Sequence, residues 1–156
     1  MEKVSVMGSE LIEINNFLSK RECDDIIDFY TKNEKHAAYQ YLSYFVIETT
    51  PGSIGDAIEL ECKKYDKNIA LDLCQVVRWP PGSFMLEHKD LDKDRFAAVV
   101  YLNDDYTGGE TCFEHTKVTP ETGKLVIFSG NELPHWVSEI KDSTRYTLSI
   151  WFRENH

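Results

Sequence analysis

One of the chain's five histidines, His88, stands two residues before Asp90 in "EHKD", just after a "PPGSF" turn. On a strand, residues i and i+2 face the same side, so this imidazole and carboxylate can share one ligand. The spacing H-x-D alone has little specificity. A second histidine, His135, opens the strand-like run "HWVSEI". Two imidazoles and one carboxylate cover one face of an octahedron and leave positions open, a donor set suited to Fe(II). Zinc is the competing metal, but a zinc enzyme needs a separate catalytic base and none stands out. Taken alone, His135 reads as a surface histidine at a strand end.

Ten residues after His135, Arg145 opens "RYTLSIWF". Strand alternation puts Arg145, Thr147, Ser149 and Trp151 on one face and Tyr146, Leu148, Ile150 and Phe152 on the other. The second face is apolar and must pack against a sheet or helix. An arginine and a threonine lining a barrel are costly to bury without an anion. Guanidinium and hydroxyl together can grip a carboxylate. A solvated arginine on an exposed strand is the plain alternative.

These residues need elements that hold them. With 156 residues, 42% of them hydrophobic, the chain suits a single domain with a sizeable core. The formal net charge of −10 disfavours nucleic acid and anionic membrane surfaces as partners. Cys23, Cys62, Cys74 and Cys112 lie far apart, which argues against a zinc cluster and for a reducing compartment. No signal-like or membrane-spanning apolar run is visible, so the expectation is a cytoplasmic protein.

"ELIEI" alternates like a short strand, and Ser19 with Glu22 forms a capping box that starts a helix. A second helix is expected within "GSIGDAIELECKKYDKN", where Ile54, Ile58 and Cys62 recur at every fourth position. "AAYQYLSYFVIETT" between them reads as strand or ordered loop. From residue 71 the chain becomes a series of short β-prone runs: "LDLCQVVRW", "FMLEH", "FAAVVYLN", "ETCFE", "KLVIF", "HWVSEI" and "RYTLSIWF". Turn-forming segments separate them. The fold class is mainly β with flanking helices (α+β), a β-barrel or double-sheet jelly roll braced by N-terminal helices.

The ordered series "WPPGSFMLEHKD", "VVYLNDDYTGGETCF", "PETGKLVIF", "PHWV" and "TRYTLSIWF" resembles the prolyl 4-hydroxylase branch of the Fe(II)/2-oxoglutarate oxygenases. The resemblance covers roughly residues 72–153. It implies one dioxygenase domain over 1–156, with helical support to about residue 70 and a double-stranded β-helix over about 71–153. It also implies that His88, Asp90 and His135 are the catalytic iron ligands. The co-substrate 2-oxoglutarate would meet Arg145 through its distal carboxylate, helped by Thr147 and the Tyr101 hydroxyl. Thr111 would point inward beside Tyr101, although packing explains it as well. Ascorbate is a further cofactor that the resemblance brings with it. The branch usually has tyrosine before its P-G turn, where this chain has Trp79, an indole that can donate but not accept. The parity of "QVVRW" places Trp79 with Gln75 and Val77 on one face, lining the pocket.

The expected activity is therefore hydroxylation of a C–H bond with O2 and 2-oxoglutarate, releasing succinate and CO2. The expected substrate is a proline-containing peptide laid against Tyr41 and Tyr44 of the aromatic 39–45 segment and against Trp151. Tyr39 and Phe45 extend that aromatic surface, and sealing the helices onto the barrel is the plainer role for all four. Hydroxylation of a free amino acid or other small metabolite is the alternative, and a non-enzymatic 2-oxoglutarate-binding module is a third reading. A nucleic-acid demethylase is disfavoured, because that branch carries a second arginine where this chain has Trp151. His36, His115 and His156 read as surface residues, and Asp104–Asp105 as a solvated turn.

Overall fold

Ser19 caps the first helix as its capping box requires: its hydroxyl accepts from the Glu22 N–H, and the Glu22 side chain accepts from the Ser19 N–H. Such a cap stabilises a helix by about 1 kcal/mol. The computed structural model describes residues 2–6, 9–41 and 43–155, with side chains from residue 11 onward. His156, read above as a surface residue, lies outside them.

The chain runs β1 (Glu2–Val6), β2 (Ser9–Ile14), α1 (Lys20–Lys32), a 3-10 turn (Glu34–His36), β3 (Ala38–Gln40) and β4 (Tyr44–Glu48). α2 (Gly52–Lys63), β5 (Ile69–Trp79), β6 (Met85–His88), β7 (Asp94–Tyr101) and β8 (Thr111–Phe113) follow. β9 (Lys117–Val118), β10 (Leu125–Phe128), β11 (His135–Val137) and β12 (Arg145–Glu154) complete it. Neither β1 nor the two-residue β9 is among the runs that the sequence singles out. The stretch before residue 70 carries more than helices, since its four strands extend the larger sheet.

Eight strands pair in the order β1-β2-β10-β7-β12-β5-β4-β3, and four in the order β6-β11-β8-β9, all antiparallel. The alternation of β12 decides the layering. Leu148, Ile150 and Phe152 pack with Cys23 and Tyr30 of α1 and with Ile58 and Cys62 of α2, so both helices brace the outer face of the large sheet. On the opposite face Ala97, Tyr101, Val126 and Phe128 meet Phe113 and Leu133 between the two sheets. The result is a double-stranded β-helix with helices on one side, and the space between its sheets is where the polar faces of β5 and β12 converge. All four cysteines are free and buried, and burial pushes the thiols of Cys23 and Cys74 up, to about 11 and about 12. They are inert core residues. Among the described residues, no helix is long and apolar enough to cross a membrane.

Candidate active site

His88 ends β6 and His135 begins β11, and the two are cross-strand partners in the small sheet. Their ring centroids lie 4.3 Å apart. Each Nδ1 sits 2.8 Å from a backbone carbonyl two residues back, His88 at Leu86 and His135 at Leu133. A carbonyl only accepts, so each Nδ1 carries a proton, and a neutral ring so held presents its Nε2 lone pair. Both Nε2 atoms point at one oxygen, Asp90 Oδ1, at 3.5 Å from His88 and 3.4 Å from His135. The three ligand atoms all lie within 4.8 Å of one another.

Asp90 reaches this point differently from the sequence expectation. The strand stops at His88, and Asp90 lies in the loop beyond it, its N–H bonded to the Gly130 carbonyl at 2.9 Å. A Cβ at Gly130 would collide with the Asp90 carboxylate, so the loop requires glycine opposite it. The second carboxylate oxygen, Oδ2, accepts from the Trp151 indole at 3.2 Å. Trp151 thus lines the cavity and also orients the Asp90 carboxylate. Burial alone would raise the Asp90 carboxyl, but the His135 and His88 imidazoles beside it, which donate from Nε2 only when protonated, hold it well below the usual carboxylate range. The same contact with Asp90 raises His88, against the opposing effect of burial. Two imidazoles with fixed tautomers and one ionised carboxylate are a donor set that fits a divalent metal, with carbonyls and an indole orienting them from behind.

These three residues line a cavity of about 520 Å³ that also reaches Trp79, Thr111 and Arg145. Arg145 is only 2% exposed. Its Nε donates to the Gly109 carbonyl at 2.9 Å, and its guanidinium lies 4.8 Å from the Trp79 ring centre and 5.4 Å from that of Tyr101. Among the described residues it makes no ion pair. A buried guanidinium without an acidic partner is costly unless an anion joins it. Around it, Trp79 Nε1 donates to Thr147 Oγ1 at 3.3 Å, and the Tyr101 and Thr111 hydroxyls share a 2.5 Å hydrogen bond. These are groups suited to a small dicarboxylate, which fits the co-substrate implied by the resemblance.

Sequence reasoning missed Tyr106. Its buried hydroxyl has no hydrogen-bond partner among the described residues, and burial raises it, as it does Tyr101, so both phenols remain O–H donors. A Cβ at Gly109 would meet Tyr106 at 2.9 Å and Arg145 at 3.0 Å. The second glycine of "TGGET" was the available signal: it is needed for close approach to these side chains as well as for its φ of 65°.

The aromatic 39–45 segment splits between two faces. Tyr39 and Phe45 pair with each other at 4.8 Å, and Phe45 lies under the Arg78 guanidinium, away from the cavity. Tyr44 is 5% exposed and stacks 4.3 Å from Trp79, so it closes the pocket wall and presents little open surface. Tyr41, 77% exposed and left-handed at φ 52°, leans on Tyr44 at the cavity mouth. His36 and His115 are exposed. Asp104 and Asp105 are also exposed; Asp105 accepts a hydrogen bond from Asn103 within the turn, and Asp104 accepts one from the Thr122 N–H in the loop before β10.

Known proteins are similar to this chain in sequence and in fold. The chain is 32% identical over 65 residues to human prolyl 3-hydroxylase 2, a match spanning 36% of this chain and 9% of that relative. In fold it is similar to the viral collagen prolyl hydroxylase of Paramecium Bursaria Chlorella virus-1 in its 2OG complex. There the TM-score is 0.76 at 23% identity, covering 92% of this chain and 95% of the other. A Pseudomonas putida prolyl-4-hydroxylase gives 0.77 at 20% identity, covering 94% and 93%. The model of the 2OG-Fe(II) oxygenase superfamily matches residues 74–153. That stretch, just over half of the chain, carries both histidines, Asp90 and Arg145 in order, and by it the chain belongs to the 2OG-Fe(II) oxygenase superfamily.

Proposed function

We propose that the chain is an Fe(II)- and 2-oxoglutarate-dependent dioxygenase that hydroxylates a C–H bond of peptidyl proline. His88, Asp90 and His135 hold Fe(II), while Arg145, Thr147 and Tyr101 hold the distal carboxylate of 2-oxoglutarate, with Thr111 and Trp79 beside it. Bound Fe(II) supplies the activation of O2, one of whose atoms enters succinate as CO2 leaves while the other enters the substrate hydroxyl. The chain's own residues do the rest. Leu86 and Leu133 fix the imidazole tautomers, Trp151 fixes the carboxylate, and Trp79 with Tyr44 excludes water from the buried end. The observation that carries this reading is Arg145, buried without an acidic partner in the same cavity as three convergent ligand atoms.

The proline reading draws on the prolyl hydroxylases that the chain resembles in sequence and fold. A free amino acid or small metabolite is the second reading, favoured by the split of the aromatic segment, which leaves Tyr41 as its one strongly exposed ring at the cavity. The test offers proline-rich peptides, free proline and free lysine with Fe(II) and 2-oxoglutarate, and follows succinate and product mass together. A gain of one oxygen on a peptide supports the first reading. Hydroxylation of a free amino acid and of no peptide replaces it with the second. Tight 2-oxoglutarate binding without any turnover would point to a binding module.

A further inference from the structure

We propose that Asp72 and Asp94 form a seat for a positively charged nitrogen of the substrate, at the opposite end of β12 from Arg145. This rests on the oxygenase reading and refines its substrate.

Strand alternation would turn both residues away from the cavity, and two β-bulges reverse that. On β5 the register steps from Trp151↔Leu73 to Phe152↔Leu71, which leaves Asp72 as the extra residue. On β7 it steps from Phe152↔Phe96 to Arg153↔Asp94, which leaves Arg95 as the extra residue. Both irregularities flank β12 at the same level. A bulge re-aims the side chains beside it, and here both carboxyls come to line the cavity that holds the metal ligands.

Both carboxyls lie on the wall of the same cavity, and burial first, then Asp72, pushes the Asp94 carboxyl up. Asp94 is 5% exposed, makes no ion pair among the described residues, and its Oδ1 accepts no hydrogen bond. Lys93 pairs with Asp72 at 3.0 Å, but the lysine side chain is 54% exposed, and such a pair holds weakly. Burying two like-charged groups together is unfavourable, and a desolvated cation between them would relieve it. Leu73 and Trp151, cross-strand partners one step inward, supply apolar walls for the methylene stem of a lysine or arginine. The cavity therefore carries an unpaired cation at one end and an under-neutralised acidic pair at the other. An ammonium or guanidinium group satisfies the acidic end.

The charged nitrogen can belong to a residue beside the target in a peptide or to a free amino acid. Calorimetric titration of the anaerobic, Fe(II)-loaded protein separates the two sources. One arm uses short proline peptides that carry arginine, alanine or glutamate next to the proline. The other uses free arginine and lysine against norleucine. The expected result is that cationic ligands bind about tenfold or more tighter than their neutral counterparts. Asp94→Asn and Asp72→Asn should each shrink that preference to about threefold or less. Tight binding in either arm supports the seat and names its source. Equal affinities for arginine and alanine ligands, or a preference unchanged in both variants, would overturn it and leave a structural carboxyl pair only. A parallel 2-oxoglutarate titration keeps the two claims apart. If the wild type binds 2-oxoglutarate but shows no cation preference, the seat alone fails. If it does not bind 2-oxoglutarate, the oxygenase reading fails and the seat with it.

Discussion

The Trp151 indole donates to Asp90 Oδ2 at 3.2 Å while Asp90 Oδ1 faces both histidines. One carboxylate is thus held from behind by β12 and presented forward to the β6–β11 pair. Removing the indole N–H while keeping an aromatic ring should loosen the ligand without emptying the cavity wall. Trp151→Phe is expected to weaken metal binding about 10- to 100-fold, the usual cost of losing a partner that orients a ligand. Metal titration followed by native mass spectrometry reads this directly, and an unchanged affinity would show that the indole contact does not matter.

Arg145 gives the second prediction. Arg145→Ala should raise the 2-oxoglutarate requirement by about two decades or more, a loss of about 3–5 kcal/mol. Part of that loss comes from leaving the dicarboxylate unpaired in a buried pocket. The variant should still bind metal, because His88 and His135 sit on β6 and β11 and Asp90 in the loop after β6. Loss of both together would mean that Arg145 mainly holds the fold.

Trp79 is buried between Tyr44 and the Arg145 guanidinium and bonded to Thr147. Trp79→Ala removes all three contacts and leaves a void, which should cost about 3–5 kcal/mol of stability as well as co-substrate affinity. Trp79→Tyr keeps an aromatic ring with a hydroxyl donor and should retain most of both. Chemical denaturation with a 2-oxoglutarate titration separates the two effects.

Asp94 sets a pH dependence. Burial first, then Asp72, pushes its carboxyl up to about 7; the nearby charge of Asp90 adds to this and Lys93 opposes it, while Arg153 acts on Asp72. A carboxyl that holds its proton more tightly when folded than at its unfolded value of 3.8 stabilises the fold at low pH. That contribution is lost as pH rises toward the folded value. Asp94→Asn removes the titration. Its melting temperature should exceed that of the wild type at about pH 8, and the advantage should shrink or reverse near pH 4.5. Parallel melting curves across that range would show that Asp94 titrates normally.

Much of this site can be read from residue order, and the exceptions share a cause. Alternation along "RYTLSIWF" sorts Arg145 and Thr147 from Leu148 and Ile150 correctly, because β12 is regular where those residues lie. Alternation fails for Asp72 and Asp94 because a bulge shifts the count by one, and no residue type announces it. Asp90 is found by its spacing from His88 for the wrong local reason, since a loop closed by Gly130 does what a strand was expected to do. The carbonyls of Leu86 and Leu133 orient the histidines through the backbone, so no letter of the sequence records them. Tyr39, Tyr41, Tyr44 and Phe45 look like one aromatic surface until the hairpin assigns them to different sides.

His88 and His135 belong to the four-stranded sheet, whereas Arg145 belongs to the eight-stranded one, where β12 is paired on both sides. Anything held by both groups becomes a strut between two layers of unequal rigidity. Amide hydrogen exchange should show the asymmetry. The central amides of β12 exchange slowly whether or not the cavity is filled, while those of edge strand β6 are slowed markedly once metal and dicarboxylate are bound together. Slowing confined to the four-stranded sheet would mark its ligands as what stiffens it, and proteolytic nicking around residues 82–92 should fall in step with occupancy.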